Sequence, residues 1–105
     1  MAQFDVHRNA SKRAGGPPYL LVVQSSRFKD LPRRVAIPLV RRELVGAIDE
    51  RLSPQFDVAG VSVVLAALEM ASLPLVAFGE HVGSLRARGD DIVRAVDLVL
   101  SRAWD

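Results

Sequence analysis

The stretch Tyr19-Leu20-Leu21-Val22-Val23 is an unbroken run of aromatic, aliphatic and β-branched residues. Such a run favours a strand that is buried on both faces, because a half-exposed strand would alternate apolar and polar side chains. Loop-forming sequence surrounds it: Gly15-Gly16-Pro17-Pro18 comes before it and Asp30-Leu31-Pro32 follows. The stretch therefore predicts a sheet strand that is covered on both sides.

Other parts of the chain also have the composition of strands. These segments are residues 3–7, 35–40, 55–58, 61–65 and 75–78. Pro38 has no N–H to donate, which predicts that its strand lies at a sheet edge or a bulge at that point. Gly60 can adopt the positive φ of a tight turn, so residues 55–65 are predicted to form a hairpin.

The last part of the chain predicts a helix after Gly89. One apolar stripe at helical spacing consists of Ile92, Ala95, Val96, Val99, Leu100 and Ala103. Asp90 and Asp91 begin the helix and Arg102 lies in its last turn, where their charges favour the helix dipole. Asp90 and Arg94 are also spaced to form an i,i+4 ion pair.

A shorter apolar pattern lies between residues 41 and 52. Its members are Leu44, Val45, Ile48 and Leu52, with charged residues between them. This periodicity predicts a short amphipathic helix that ends before Pro54.

The 105 residues fit one domain, spanning residues 1–105, and contain no internal repeat. Several short strands followed by one helix predict a small α+β or barrel-like sheet with the helix docked on it.

Several kinds of chemistry are not expected. The chain has no Cys, which excludes thiol catalysis and thiolate metal sites. His7 and His81 have no partner at metal-ligand spacing, so they are interpreted as surface or hydrogen-bonded imidazoles. No phosphate-binding glycine loop or Gly-x-Ser-x-Gly motif occurs. We therefore expect no metal, no cofactor and no catalytic residue.

The N-terminal segment does not have the pattern of an export signal. Asp5 and Arg8 stand where a continuous apolar region would be needed. The apolar runs are also much shorter than the roughly 20 residues of a membrane span. We therefore expect a cytoplasmic protein without a membrane partner.

The charge is unevenly distributed along the chain. Residues 1–42 hold nine Lys or Arg against two Asp, a charge of +7, whereas residues 43–105 hold five Arg against ten acids, a charge of −5. The basic residues around Arg33 and Arg34 favour a solvated loop and strand edge over a nucleic-acid patch, since almost no aromatic residue lies among them. Trp104, next to the last residue, is either an anchor on the sheet or a partner-binding hot spot.

Several segments together resemble the CcdB family of bacterial toxins. The opening Met1-Ala2-Gln3-Phe4-Asp5-Val6 is similar to the family's Met-Gln-Phe-x-Val. Val23-Gln24-Ser25, followed by Arg34-Val35-Ala36-Ile37-Pro38-Leu39, resembles its Val-Gln-Ser and Arg-x-Val-Ile-Pro-Leu block. Met70-Ala71-Ser72-Leu73-Pro74 resembles its Met-Ala-Ser-x-Pro, and Gly79-Glu80, Val82 and Asp91-Ile92 follow at the family interval.

The resemblance implies an SH3-like, barrel-type antiparallel sheet with a small extra sheet and a C-terminal helix, a fold shared with MazF toxins. In that fold, residues 41–52 are irregular. The family works as a homodimer that is not an enzyme: it binds the DNA gyrase A subunit and traps the gyrase–cleaved DNA complex. A cognate antitoxin neutralises it through a disordered C-terminal tail. Direct nucleic-acid binding is not implied.

The resemblance also implies where the partners bind. Gyrase contacts fall at the end of the helix and after Val-Gln-Ser, on Ser101, Arg102, Ala103, Trp104, Asp105, Ser25, Arg27 and Phe28. The family Trp aligns with Ser101, and Trp104 comes three residues later, about 4.5 Å and about 300° further along a helix. Arg27 replaces an apolar family residue. The antitoxin tail is expected to contact Lys29, Arg33 and Arg34.

Two alternatives stay open. The chain could be a toxin or antitoxin-binding module of the same fold whose target has shifted or been lost. It could also be a MazF-like endoribonuclease, although nothing in it resembles that family's N-terminal Gly-Asp-(Ile/Val) and Leu-Asp-Pro signatures.

Overall fold

Seven antiparallel strands and one helix make up the part of the chain that the computed structural model describes, residues 1–11 and 16–101. The strands are β1 (Asp5–Asn9), β2 (Tyr19–Val22), β3 (Arg33–Arg41), β4 (Gln55–Val58), β5 (Val61–Leu65), β6 (Ala71–Pro74) and β7 (Phe78–Ser84), and the helix is α1 (Gly89–Leu100). No helix among these residues is long and apolar enough to cross a membrane.

The strands form one sheet in the order β4-β5-β3-β2-β1-β7, with β6 paired to β3. One edge of β3 pairs with β2, and its other edge is shared between β6 at the start and β5 at the end. The predicted barrel-type antiparallel sheet with a C-terminal helix is confirmed. The expected small extra sheet is not separate, because the β4–β5 hairpin and β6 are both hydrogen-bonded to β3.

Pro38 lies in an interior strand and not in an edge strand, but pairing on one side of β3 is interrupted at Pro38, as the predicted alternative of a local irregularity required. β6 pairs with β3 as far as Ala36, and β5 pairs with it from Leu39 onwards. The Pro38 carbonyl accepts a hydrogen bond from Ala66 N at 3.0 Å, on the side where the partner changes. In an antiparallel strand the N–H of a residue faces the same side as its carbonyl. The side of Pro38 that lacks an N–H therefore faces the position between β6 and β5, where neither strand needs that donor.

The predicted hairpin is confirmed. Val58 pairs with Val61 across a two-residue turn, in which Ala59 and Gly60 have φ values of 49° and 80°. Two successive positive φ values are the signature of the turn that matches the twist of paired strands.

The helix predicted for residues 41–52 does not form, and the irregular segment implied by the resemblance is what the structure contains. Only Arg42–Leu44 makes a 3₁₀ turn. The Arg42 guanidinium donates to the carbonyls of Val45 and Gly46, so these carbonyls are satisfied without helical partners. Leu52 packs against the core, whereas Leu44 is 63% exposed, which shows that the apolar residues do not share one buried face.

The strand predicted for residues 75–78 is also wrong. Leu75–Ala77 is a 3₁₀ turn that joins β6 to β7, and its Val76 is 81% exposed. The strand β7 begins instead at Phe78 and continues to Ser84. The sequence patterns did not predict β6. The apolar residues Leu75 and Val76 are therefore exposed in a surface turn and are not buried in the sheet.

The core lies between one face of the sheet and α1. Ile92 and Ala95 of the helix are fully buried against the sheet. The sheet contributes Val6, Tyr19, Leu21, Ile37, Leu39, Phe56, Val58, Val63 and Leu65 to the same cluster. The helix begins in close contact with the N-terminal segment, because a Cβ on Gly89 would lie 2.9 Å from the Phe4 ring. Ala103, the last member of the predicted stripe, lies outside the described residues.

Candidate protein-binding site

The loop between β2 and β3, residues 23–32, exposes two apolar side chains. It contains a 3₁₀ turn at Ser26–Phe28, and the Ser25 hydroxyl caps this turn by accepting from Arg27 N at 3.2 Å. Phe28 is 53% exposed and Leu31 is 54% exposed. This segment, called the β2–β3 loop below, therefore presents an aromatic and an aliphatic group to solvent on a hydrogen-bonded support.

Cationic residues flank these two groups in the sequence, together with the acidic Asp30. Arg27 and Lys29 lie in the loop itself and are exposed. Arg33 begins β3, and its guanidinium donates to the hydroxyl and the carbonyl of Ser72 on β6, at 2.9 and 2.8 Å. An apolar centre with cations around it is typical of a protein-binding surface.

Arg34 does not belong to this exposed set. It is buried, and its guanidinium donates to the carbonyls of Lys29, Leu31 and Arg33. The expectation that Arg34 contacts an antitoxin tail directly is therefore not supported by its position, because the charge is used inside the chain. The alternation of β3 puts Arg33 and Arg34 on opposite faces of the sheet, and Arg34 is buried because the carbonyls of the β2–β3 loop enclose its guanidinium.

The helix α1 carries two exposed apolar side chains, one in its first half and one at its end. Val93 is 53% exposed and Leu100 is 65% exposed, although both belong to a largely apolar helix. Ser101 follows the helix, and its hydroxyl donates to the Asp97 carbonyl at 2.9 Å. The remaining predicted gyrase-contact residues, Arg102, Ala103, Trp104 and Asp105, lie outside the described residues.

Two histidines that are far apart in the sequence lie close together in the structure. The rings of His7 on β1 and His81 on β7 have centroids 5.2 Å apart, and His81 Nε2 lies 3.6 Å from an Asp5 carboxylate oxygen. His7 Nδ1 donates to the Gly79 carbonyl at 2.9 Å. The interpretation of a hydrogen-bonded and a surface imidazole fits these positions. Among the described residues, no group of three or more possible ligands could hold a metal ion.

The opposite face of the sheet carries a cavity that the sequence did not indicate. Its volume is about 640 Å³. Apolar side chains from separate elements line most of it, among them Leu20, Pro38, Val40, Leu44 and Leu73. No sequence signal could have found it, because these residues meet only after β2, β3 and β6 pair.

Two arginines surround a carboxylate at the start of α1. Asp91 accepts from Arg88 Nε at 2.7 Å and from an Arg94 guanidinium nitrogen at 3.2 Å. The hydrogen bond from Arg88, with a smaller contribution from Arg94, holds the pKa of Asp91 below its ordinary value. Arg94 therefore pairs with Asp91 and not with Asp90 as predicted. Arg88 also lies over the Phe56 ring, 4.7 Å from its centroid, which connects the helix start to β4.

This cluster predicts a pH dependence of stability. A carboxylate whose pKa is lowered in the folded state stabilises that state above its unfolded pKa, and the contribution is lost as pH falls through the lower folded value. The difference in free energy of unfolding between wild type and Asp91→Asn should therefore be constant near neutral pH. It should shrink below pH 3.8, the ordinary value for Asp. Urea unfolding at a series of pH values measures it.

Asp90→Asn is the matched control for that measurement, since it removes a carboxylate from the same helix turn and leaves the Arg88–Asp91–Arg94 cluster in place. A difference for Asp91→Asn that does not change between pH 6 and pH 2.5 would contradict the assignment.

Comparison with known proteins agrees with the geometry of the fold. A family model described as "CcdB protein" matches residues 3–101. A solved structure of an endoribonuclease in complex with its cognate antitoxin, from a mycobacterial species, is similar with a TM-score of 0.77. It is 15% identical, and the match covers 100% of this chain and 99% of that chain. A second mycobacterial endoribonuclease has a TM-score of 0.72 at 15% identity, covering 100% and 95% of the two chains.

No curated protein matches the chain. At 15% identity, the two structural matches show the shared fold, while the family match covers nearly the whole sequence.

Proposed function

Because the chain belongs to the CcdB family of bacterial toxins, we propose that it is the toxin of a type II toxin–antitoxin module that binds the A subunit of DNA gyrase and traps the gyrase–cleaved DNA complex. The observation that carries this proposal is the family match over residues 3–101. In this mechanism the protein is not an enzyme and uses no cofactor. It acts by binding one conformational state of its target more tightly than the others, which stops the cycle of the target.

The β2–β3 loop supports the proposal. Its exposed Phe28, with Arg27 beside it, belongs to the residue types enriched at protein interfaces, and Leu31 adds exposed apolar surface. Ser25 contributes by capping the turn that carries Arg27 and Phe28. We place the gyrase contacts here and at the end of the chain, from Ser101 to Asp105.

We further propose that the chain is a homodimer and acts in the cytoplasm. The A subunits of gyrase form a dimer in the family mechanism, so a two-fold symmetric toxin would present the same surface twice to one symmetric target. Two simultaneous contacts raise the overall affinity without any new type of interaction.

A cognate antitoxin with a disordered, acidic C-terminal tail is the proposed neutralising partner. Lys29 and Arg33 offer it exposed positive charge next to the β2–β3 loop. The fold is similar to that of the mycobacterial endoribonuclease solved with its cognate antitoxin, which supports an antitoxin partner for this chain too. Nucleic acid is not a direct partner in this proposal.

The fold likeness to two endoribonucleases favours a second candidate, cleavage of messenger RNA. The sequence has neither of the signatures expected for a MazF-like enzyme, which favours the gyrase proposal. A third candidate, a toxin or antitoxin-binding module of the same fold with a different target, is favoured by the altered position of Trp104 and by Arg27.

One experiment separates the three candidates. The chain is expressed in a susceptible bacterium, and plasmid DNA and total RNA are recovered after growth stops. Detergent and protease treatment releases linear plasmid wherever gyrase is covalently attached to a trapped break. We expect linear plasmid and intact transcripts. Growth arrest without trapped complexes overturns the gyrase proposal. Fragmented transcripts support the endoribonuclease. Growth arrest with neither linear plasmid nor fragmented transcripts indicates a different target.

A further inference from the structure

The β2–β3 loop has backbone carbonyls that no strand partner satisfies. Its residues lie between the β2 and β3 ladders, where buried or half-buried carbonyls still need hydrogen-bond donors. The turn hydrogen bonds of the loop are Phe28 N to Ser25 O, Lys29 N to Ser26 O and Leu31 N to Phe28 O. These bonds by themselves leave the second half of the loop without support.

Arg34 supplies that support from inside the chain. Its side chain is 6% exposed and is the only buried cationic side chain among residues 1–11 and 16–101. One terminal nitrogen donates to Leu31 O and Arg33 O, and the other donates to Lys29 O. Arg34 Nε is buried without a hydrogen-bond partner among the described residues, so the bonds of the two terminal nitrogens are the ones that offset the cost of burying the guanidinium.

Gln24 holds the loop from its other end. Its amide nitrogen donates to Phe28 O at 3.0 Å and to Arg33 O at 3.4 Å, and its amide oxygen accepts from Val35 N at 3.0 Å. Gln24 therefore connects the beginning of β3 to the centre of the loop. Together, Gln24 and Arg34 hold the carbonyls of Phe28, Lys29, Leu31 and Arg33.

We propose that Arg34, assisted by Gln24, is a positioning residue that holds the β2–β3 loop in its binding conformation, so that Phe28 and Leu31 meet the protein target without first being ordered. The proposal rests on the proposed function. Fixing a loop before binding raises affinity because the cost of ordering it is already met by folding. Arg34 thus acts through Phe28 and Leu31 and does not itself touch the partner.

The test compares full-length wild type with Arg34→Lys. Lysine keeps the charge and most of the aliphatic stem, but one ammonium cannot donate to three carbonyls as the planar guanidinium does. Amide hydrogen exchange of residues 26–33 should become about tenfold faster, while the β2 and β3 amides are unchanged. Affinity for purified gyrase A subunit should fall about tenfold, since a charged hydrogen bond contributes about that factor.

Arg41→Lys is the matched control, because it makes the same change at the exposed far end of the same strand, outside the candidate protein-binding site, and should alter both quantities by less than about twofold. Gln24→Ala is the second variant and should also raise the exchange rates of residues 26–33. It replaces Arg34→Lys in the test if that variant is too unstable to study. Exchange in residues 26–33 that stays unchanged in both variants overturns the proposal.

A double-mutant comparison separates positioning from a general structural role. Phe28→Ala alone should weaken gyrase binding and leave loop exchange unchanged. In a Phe28→Ala, Leu31→Ala background, Arg34→Lys should no longer affect affinity, because the presented groups are absent. A full tenfold loss in that background overturns the proposal. A wild-type chain that does not bind gyrase overturns the proposed function, while faster loop exchange in Arg34→Lys would still support the role of Arg34 in ordering the loop.

Discussion

Replacing Ile92 with alanine is expected to lower the free energy of unfolding by about 3 kcal/mol, within the usual range for a fully buried large-to-small change. Ile92 is 0% exposed and lies on the face of α1 that packs against the sheet. The change removes three carbon atoms and leaves a cavity that neighbours from several strands surround. Small domains are stable by only about 5–15 kcal/mol, so the loss is large. Chemical denaturation measures it.

Val93→Ala is the matched control, because it shortens the next residue of the same helix, which is 53% exposed. We expect that variant to lose less than about 1 kcal/mol. Equal losses for the two variants would contradict the position of α1 on the sheet, since only one of the side chains is buried there.

Trp104→Ala is expected to reduce the affinity for the gyrase A subunit about 100-fold, with little change in stability. Tryptophan is the residue type most enriched among hot spots, where truncation costs about 2–4 kcal/mol. The resemblance places the family's main gyrase contact near this end of the chain, although three residues earlier. Binding to immobilised gyrase A subunit and thermal unfolding are measured on the same samples.

The two alternatives for Trp104 give opposite results in those measurements. If Trp104 anchors the chain on its own sheet, the variant loses stability and its remaining folded fraction binds normally. If both affinity and stability stay unchanged, the displaced anchor has no role. Leu68→Ala is a useful control, because it removes an exposed apolar side chain, 74% exposed, from a different loop.

Local patterns were sufficient for some elements and not for others. The stretch from Tyr19 and the hairpin around Gly60 were predicted because each depends on the residues at that place: continuous burial for one, positive φ for the other. The helix predicted for residues 41–52 failed because periodicity does not reveal whether a face has anything to pack against. Leu44 has the right spacing and still faces solvent.

For the candidate site, too, some residues could be identified from the sequence and others could not. Phe28 and Arg27 could be chosen from the sequence because they follow a recognisable motif, Val23-Gln24-Ser25. Leu31 was missed, since one apolar residue in a turn gives no signal of exposure. Arg34 was grouped with the exposed cations, because adjacent arginines look alike until the loop carbonyls that enclose one of them are in place.

What the sequence by itself determined is therefore local and compositional. It indicated the β-rich order of elements with a C-terminal helix, and it contains motifs of one family, whose model matches residues 3–101. Only the tertiary structure decided that the β4–β5 hairpin and β6 share one edge of β3, that His7 meets His81, and that Arg34 is buried against the carbonyls of the β2–β3 loop. The physical reason is that pairing partners and hydrogen-bond acceptors far apart in the chain are set by packing, which no short stretch of sequence contains.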